Sequence, residues 1–163
     1  RIFTGSDDKT VRIFDLRSPD CLNTIQVPGP VSCLATQQQL LITSSKREND
    51  VFCFELSTGN VFHRLTGHSK PVYCMHLDGT GRLITGSRDR QIFKWDLNSG
   101  NVTGVLIGHQ YTVMALHARD SRICSASADQ TVRVWDSASG TSQILRGHTE
   151  PVMSVKFDYD KIA

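Results

Sequence analysis

Residues 125–136 read Ser-Ala-Ser-Ala-Asp-Gln-Thr-Val-Arg-Val-Trp-Asp. The stretch holds the end of one short apolar run, a polar break at Asp129, and a second run rich in β-branched residues. Two such runs across a tight polar break read as a β-hairpin. Its closing pair recurs along the chain as Phe14-Asp15, Phe54-Glu55, Trp95-Asp96 and Trp135-Asp136, at spacings of 40, 41 and 40 residues. A second signal keeps the same period: Gly67-His68, Gly108-His109 and Gly147-His148, with a degenerate Gly29-Pro30 ahead of them. A period in this range marks a repeat architecture, one supersecondary unit used several times.

Aligned on the aromatic-acid pair, each copy divides into four runs separated by Gly, Asp, Ser and Asn. The runs are 72–77, 82–87, 91–97 and 101–106 in the third copy, and 113–118, 122–127, 131–137 and 141–146 in the fourth. The second copy reads 31–36, 40–45, 51–56 and 60–65. No segment carries a helical period over three turns. Four antiparallel strands in forty residues make one twisted sheet that cannot cover its own faces. Stacked neighbours bury them, and a ring closes the stack. The expectation is an all-β chain of stacked four-stranded blades, a β-propeller.

These motifs, in register over essentially the whole chain, resemble those of the WD-repeat family of β-propellers. The resemblance implies about four blades, part of a larger ring that in this family most often has seven. The expected divisions are an incomplete blade over 1–27, blades over 28–66, 67–107 and 108–146, and the start of a further blade over 147–163. The chain is expected to open on a second strand and to end on a first strand at 152–157, with a second strand opening at 161–163. The resemblance also implies a buried hydrogen-bonded set within a blade: His68, Thr85, Asp89 and Trp95 in one copy, His109, Ser125, Asp129 and Trp135 in the next. Their chemistry fits. Indole N–H only donates, a hydroxyl donates and accepts, and imidazole bridges hydroxyl to carboxylate. Phe14 and Phe54 cannot donate, and Pro30 stands where the second copy needs His. That copy also has a longer turn at 46–50, so its blade is expected to be the least tightly held.

Bulk properties set limits. The 163 residues carry a net charge of +2, with 39% hydrophobic and 21% charged residues. That is ordinary for a globular chain and gives no global electrostatic case for nucleic acid or an anionic membrane. Five widely spaced cysteines argue against a disulfide framework or a zinc site. Cys33, Cys74, Ala115 and Ser154 share one repeat position, which reads as a tight slot for a small side chain. The sequence lacks a phosphate loop, His-Glu-x-x-His, Gly-x-Ser-x-Gly and Cys-x-x-Cys. No catalytic residue, cofactor, metal or small-molecule substrate is expected, and the chain reads as intracellular.

Binding is the expected role. In a propeller the loops before the first strands and the turns between second and third strands form one rim, which in this family commonly holds partners. The positions implied are Ser32, Arg47, Tyr73, Arg88, Arg90, Met114 and Met153, with Lys46 and Lys70 nearby. Tyr and Arg are enriched at interface hot spots, and Met adds an adaptable apolar floor. The expected function is a non-enzymatic scaffold for protein or peptide partners. Alternatives are a receptor for phosphorylated peptides in a ubiquitin-ligase complex, through bidentate Arg–phosphate pairing, and an RNA-binding propeller with Tyr73 as a stacking surface.

Overall fold

A computed structural model describes residues 1–78 and 80–157. Among them are fifteen strands and no helix. The first unit, Arg1–Tyr73, holds a three-stranded sheet of β1 (Ile2–Gly5), β2 (Thr10–Phe14) and β3 (Cys21–Gln26). It also holds a four-stranded sheet of β4 (Val31–Gln37), β5 (Leu40–Ser45), β6 (Val51–Glu55) and β7 (Val61–Leu65). The second unit begins at Cys74, within β8 (Val72–Leu77), whose sheet continues through β9 (Arg82–Ser87), β10 (Gln91–Asp96) and β11 (Asn101–Ile107). Its other sheet comprises β12 (Val113–Arg119), β13 (Arg122–Ser127), β14 (Val132–Asp136) and β15 (Ser142–Leu145). All pairings are antiparallel between sequence neighbours.

Strand ends fall within a residue of the sequence reading, with one exception. Residues 152–157, expected as a first strand, form no strand. A strand exists by its ladder, and the segment expected to pair with this one, 161–163, lies outside the described residues. Val152 is nonetheless buried, and its N–H donates to the Ser127 carbonyl at 3.1 Å. Val31 makes the same bond to the Ser6 carbonyl at 3.1 Å.

Burial grades across each four-stranded sheet. The second strands β5, β9 and β13 are buried at five of their six positions, whereas the fourth strands β3, β7, β11 and β15 are largely exposed. A strand covered on both faces shows no polar alternation, which is why 40–45, 82–87 and 122–127 mix apolar and small residues throughout. Each unit has a core fed by both of its sheets. In the first, Val11, Ile13 and Ile25 meet Val31, Leu41, Phe52 and Phe54. In the second, Ile84, Ile92 and Leu106 meet Val113, Leu116, Ile123 and Trp135. Two sheets sharing a core are packed face to face.

Glycine sets how closely they pack. A Cβ on Gly86 would lie 2.6 Å from Val113 Cγ1 and 2.7 Å from Cys74 Sγ, and one on Gly5 would strike Val31. The small-residue slot sits at the same joints: Cys74 Sγ lies 3.6 Å from the Val113 carbonyl and 3.7 Å from that of Gly86, and Cys33 Sγ lies 2.9 Å from Ser44 Oγ. All five cysteines are free thiols. Burial pushes Cys33 and Cys53 up to about 12, which removes thiolate reactivity at neutral pH.

The turns after β1, β9 and β13 share one construction. The hydroxyls of Ser6, Ser87 and Ser127 accept from the N–H groups of Asp8, Asp89 and Asp129. Those carboxylates accept in turn from the N–H groups of Thr10, Gln91 and Thr131. Such side-chain turns replace backbone pairing at a hairpin end. The residue after each Asp has positive φ: Lys9 at 65°, Arg90 at 74° and Gln130 at 67°. The longer turn after β5 keeps the first bond, from the Arg47 N–H to Ser45 Oγ.

Candidate functional site

The fourth sheet contains a complete relay. Trp135 donates its indole N–H to Ser125 Oγ at 2.8 Å. Ser125 Oγ lies 2.7 Å from His109 Nε2, and His109 Nδ1 lies 2.7 Å from Asp129 Oδ2. The donors fix the protonation: Ser125 gives its proton to Nε2, so neutral His109 carries hydrogen on Nδ1 and donates it to Asp129. The carboxylate also accepts from the N–H of Gln110 and from the N–H and hydroxyl of Thr131. Every polar atom of the relay is partnered, and Trp135, Ser125 and His109 are buried. A relay whose donors are all engaged in this way holds strands together.

Its electrostatics give a pH dependence. Burial holds His109 below its ordinary value of 6.5, against the pull of Asp129, and the Arg133 charge adds to the lowering. Burial alone would raise Asp129, but hydrogen bonds from Thr131, Gln110 and His109 bring it down to about 2. Both groups then bind protons more weakly folded than unfolded, so both cost stability on acidification. His109 begins to do so as pH falls below 6.5, and Asp129 as pH falls from 3.8 through about 2. The denaturation midpoint is expected to drop between pH 7 and 5, and His109→Gln to flatten that segment of the profile. A midpoint independent of pH over this range in the parent protein excludes the assignment.

In the third sheet Trp95 donates to Thr85 Oγ1 at 2.8 Å, and Thr85 and Asp89 are buried. His68 is buried too and lies in the first unit. In the first sheet Thr4 turns to the Arg12 carbonyl at 3.5 Å, because Phe14 offers no donor. In the second, Phe54 joins the apolar core.

The rim positions fall into two groups. In the first unit Ser32 and Tyr73 are half-buried and Arg47 is exposed. Lys46, counted among the basic rim residues, pairs with Asp7 at 2.7 Å. In the second unit Arg88 and Arg90 are exposed on either side of buried Asp89, Met114 is half-buried, and Met153 is 62% exposed. The sequence reading missed Tyr111, which is 65% exposed. The copies carry Lys70 and Glu150 at that position, so periodicity gave no aromatic signal. The Tyr111 carbonyl accepts from Ser127 Oγ, and the Ser127 carbonyl accepts from Val152. Tyr111 and Met153 therefore flank the turn that begins at Ser127.

Four-stranded antiparallel sheets stacked over shared cores, each closed by an aromatic on its third strand, are blades of a β-propeller. The family profile described as WD domain, G-beta repeat matches residues 1–15, 59–96 and 100–136, more than half of the chain. The chain belongs to the WD-repeat family. It is 29% identical over 153 residues to WD repeat-containing protein 18 of Bos taurus, covering 85% of this chain and 33% of that protein. It is 38% identical over 179 residues to mitogen-activated protein kinase kinase kinase A of Dictyostelium discoideum, covering 99% and 19%. It is 32% identical over 83 residues to peptidyl-prolyl cis-trans isomerase 9 of Schizosaccharomyces pombe, covering 46% and 14%. The chain spans a third or less of the length of these relatives. WD repeats serve generally as protein-interaction scaffolds. No helix among the described residues is long and apolar enough to cross a membrane.

Proposed function

We propose that this chain is a non-catalytic part of an intracellular scaffold that holds protein or peptide partners on the rim. The observation that carries the reading is the sorting of side chains at the turns of the second unit. Asp89 is buried, and Asp129 is spent inside the relay. Arg88, Arg90, Tyr111 and Met153 are left outward. Aromatic, arginine and methionine side chains displayed on a rigid base suit an interface. Two relatives bear enzyme names, but this chain corresponds to 19% of one and 14% of the other. The reading assigns no catalytic residue and no cofactor to it.

The test uses the full-length protein with Arg88→Glu and Tyr111→Ala combined, beside the Tyr73→Ala and Arg88→Glu pair. Quantitative cross-linking should show loss of bound partner by about tenfold or more, the scale of one or two hot spots. Melting should be unchanged. Normal capture by both variants overturns the rim assignment. Competition by RNA, with affinity falling steeply between about 50 and 200 mM salt, replaces it with the nucleic-acid reading.

A further inference from the structure

Two positions of the third blade break the repeat together. The residue before the aromatic is Ile13, Cys53 and Val134 in the other copies, but Lys94 here. Its cross-strand partner on the fourth strand is Asn23, His63 and Gln143 in the others, but Gly104 here. The changes are coupled. A Cβ on Gly104 would lie 2.5 Å from Lys94 Cε, so the glycine makes room for the lysine stem to lie across β11. The ammonium reaches the fourth blade and donates to the Ser137 carbonyl at 2.6 Å.

That ammonium stands in a cleft of about 380 Å³ between the third and fourth blades, at the ends of the strands away from the rim. Ile84, Ala118 and Ile123 give the cleft an apolar floor. Its carboxylates are engaged close to home. Asp78 accepts from Thr80 and Arg82, Asp96 accepts from Asn98 and Ser99, and Asp120 pairs with Arg119. Lys94 makes no ion pair among the described residues. One of its three hydrogens goes to a neutral carbonyl.

We infer that this cleft is a second binding site, distinct from the rim, and that it takes an acidic peptide segment: a carboxylate side chain on Lys94 with an aliphatic neighbour over Ile84 and Ile123. The volume lies at the small end of the range of ligand clefts. A carboxylate fits better than a phosphate, because Arg82 and Arg119 already pair with Asp78 and Asp120, which leaves Lys94 alone to meet a doubly charged group that would also face Asp96. A wider cavity of about 480 Å³ lined by His76 and His117 shares Asp78, Arg82 and Arg119 with the cleft, and gives the peptide chain a path onward.

The test is a titration of the full-length protein, with 13C-labelled isoleucine and methionine methyls, against acetyl-Leu-Glu-amide. The Ile84 and Ile123 methyls should shift saturably while those of Met114 and Met153 stay still. Acetyl-Leu-Gln-amide should bind about tenfold more weakly. Lys94→Met, which keeps the stem, should lose the preference for Glu over Gln, and Lys94→Arg should keep it. The inference is overturned by equal binding of the two peptides, by an unchanged preference in Lys94→Met, by shifts at the rim methyls alone, or by no shift. Inorganic phosphate binding more tightly than the Glu peptide overturns the choice of occupant. The comparison of the two peptides on the parent protein stands even if the Lys94 variants fold poorly.

Discussion

Trp135→Ala is expected to unfold the second unit under conditions where the parent protein is stable. The side chain is among the largest fully buried ones, and its ring lies in the core shared by the third and fourth blades. Truncating a buried aromatic to alanine costs about 3–5 kcal/mol. The same change takes from Ser125 its only donor, in a place closed to water. Since whole domains hold only about 5–15 kcal/mol, the loss is a large share of the total. Trp135→Phe separates the two parts. It keeps most of the ring and removes only the N–H bond, for about 1 kcal/mol. Phe14 and Phe54 fill the corresponding site in the first two blades, so the fold accepts the shape. Urea titration of the three proteins should rank them Trp, Phe, Ala with the larger gap last. A midpoint for Trp135→Ala close to that of the parent would remove the staple from the account of stability.

Gly86→Val should be comparably damaging for a different reason. The added Cβ would lie 2.6 Å from Val113 Cγ1 and 2.7 Å from Cys74 Sγ, distances that side chains do not sustain. The two sheets would have to move apart along β9 and β12, opening the core that Ile84, Val113 and Leu116 share. Overpacking of this kind costs about 1–3 kcal/mol and at times more. Val113→Ala in the same molecule should restore part of the loss, because it empties the space that the new side chain needs. The coupling between the two changes is the diagnostic quantity. Additive effects would show that the glycine is not what sets the distance between the sheets. Gly5 holds the same position in the first sheet and would strike Val31 in the same way, whereas Ala126 and Ser44 stand there in the other two sheets, so the requirement belongs to two of the joints and not to the repeat as such.

Much of this architecture was legible in the chain. Runs of four to seven residues between Gly, Asp, Ser and Asn placed the strands, because turn chemistry and β-branched runs act over a few residues. The set of His109, Ser125, Asp129 and Trp135 came from the resemblance to WD repeats and not from spacing alone, and hydrogen bonds join His109, Ser125 and Trp135. What escaped the reading lies where one copy differs from its siblings or where contact crosses between copies. Tyr111 replaces a charged residue at a position with no consistent character. Lys94 sits one residue before the signature pair, and its meaning depends on Gly104 ten residues away. The Lys46–Asp7 pair joins side chains thirty-nine residues apart. Residues 152–157 dock as a first strand would, but strand identity needs a partner that their own sequence does not supply.

Lys9, Arg90 and Gln130 bend the backbone into a conformation that glycine adopts freely and side chains resist. Each of these three hairpins bears that local strain and keeps a long polar side chain at its tip. The serine and aspartate beside each tip hold the bend through their own bonds, whatever the tip residue is. The side chain at each tip can therefore be exchanged one loop at a time, with the architecture beneath left as it is.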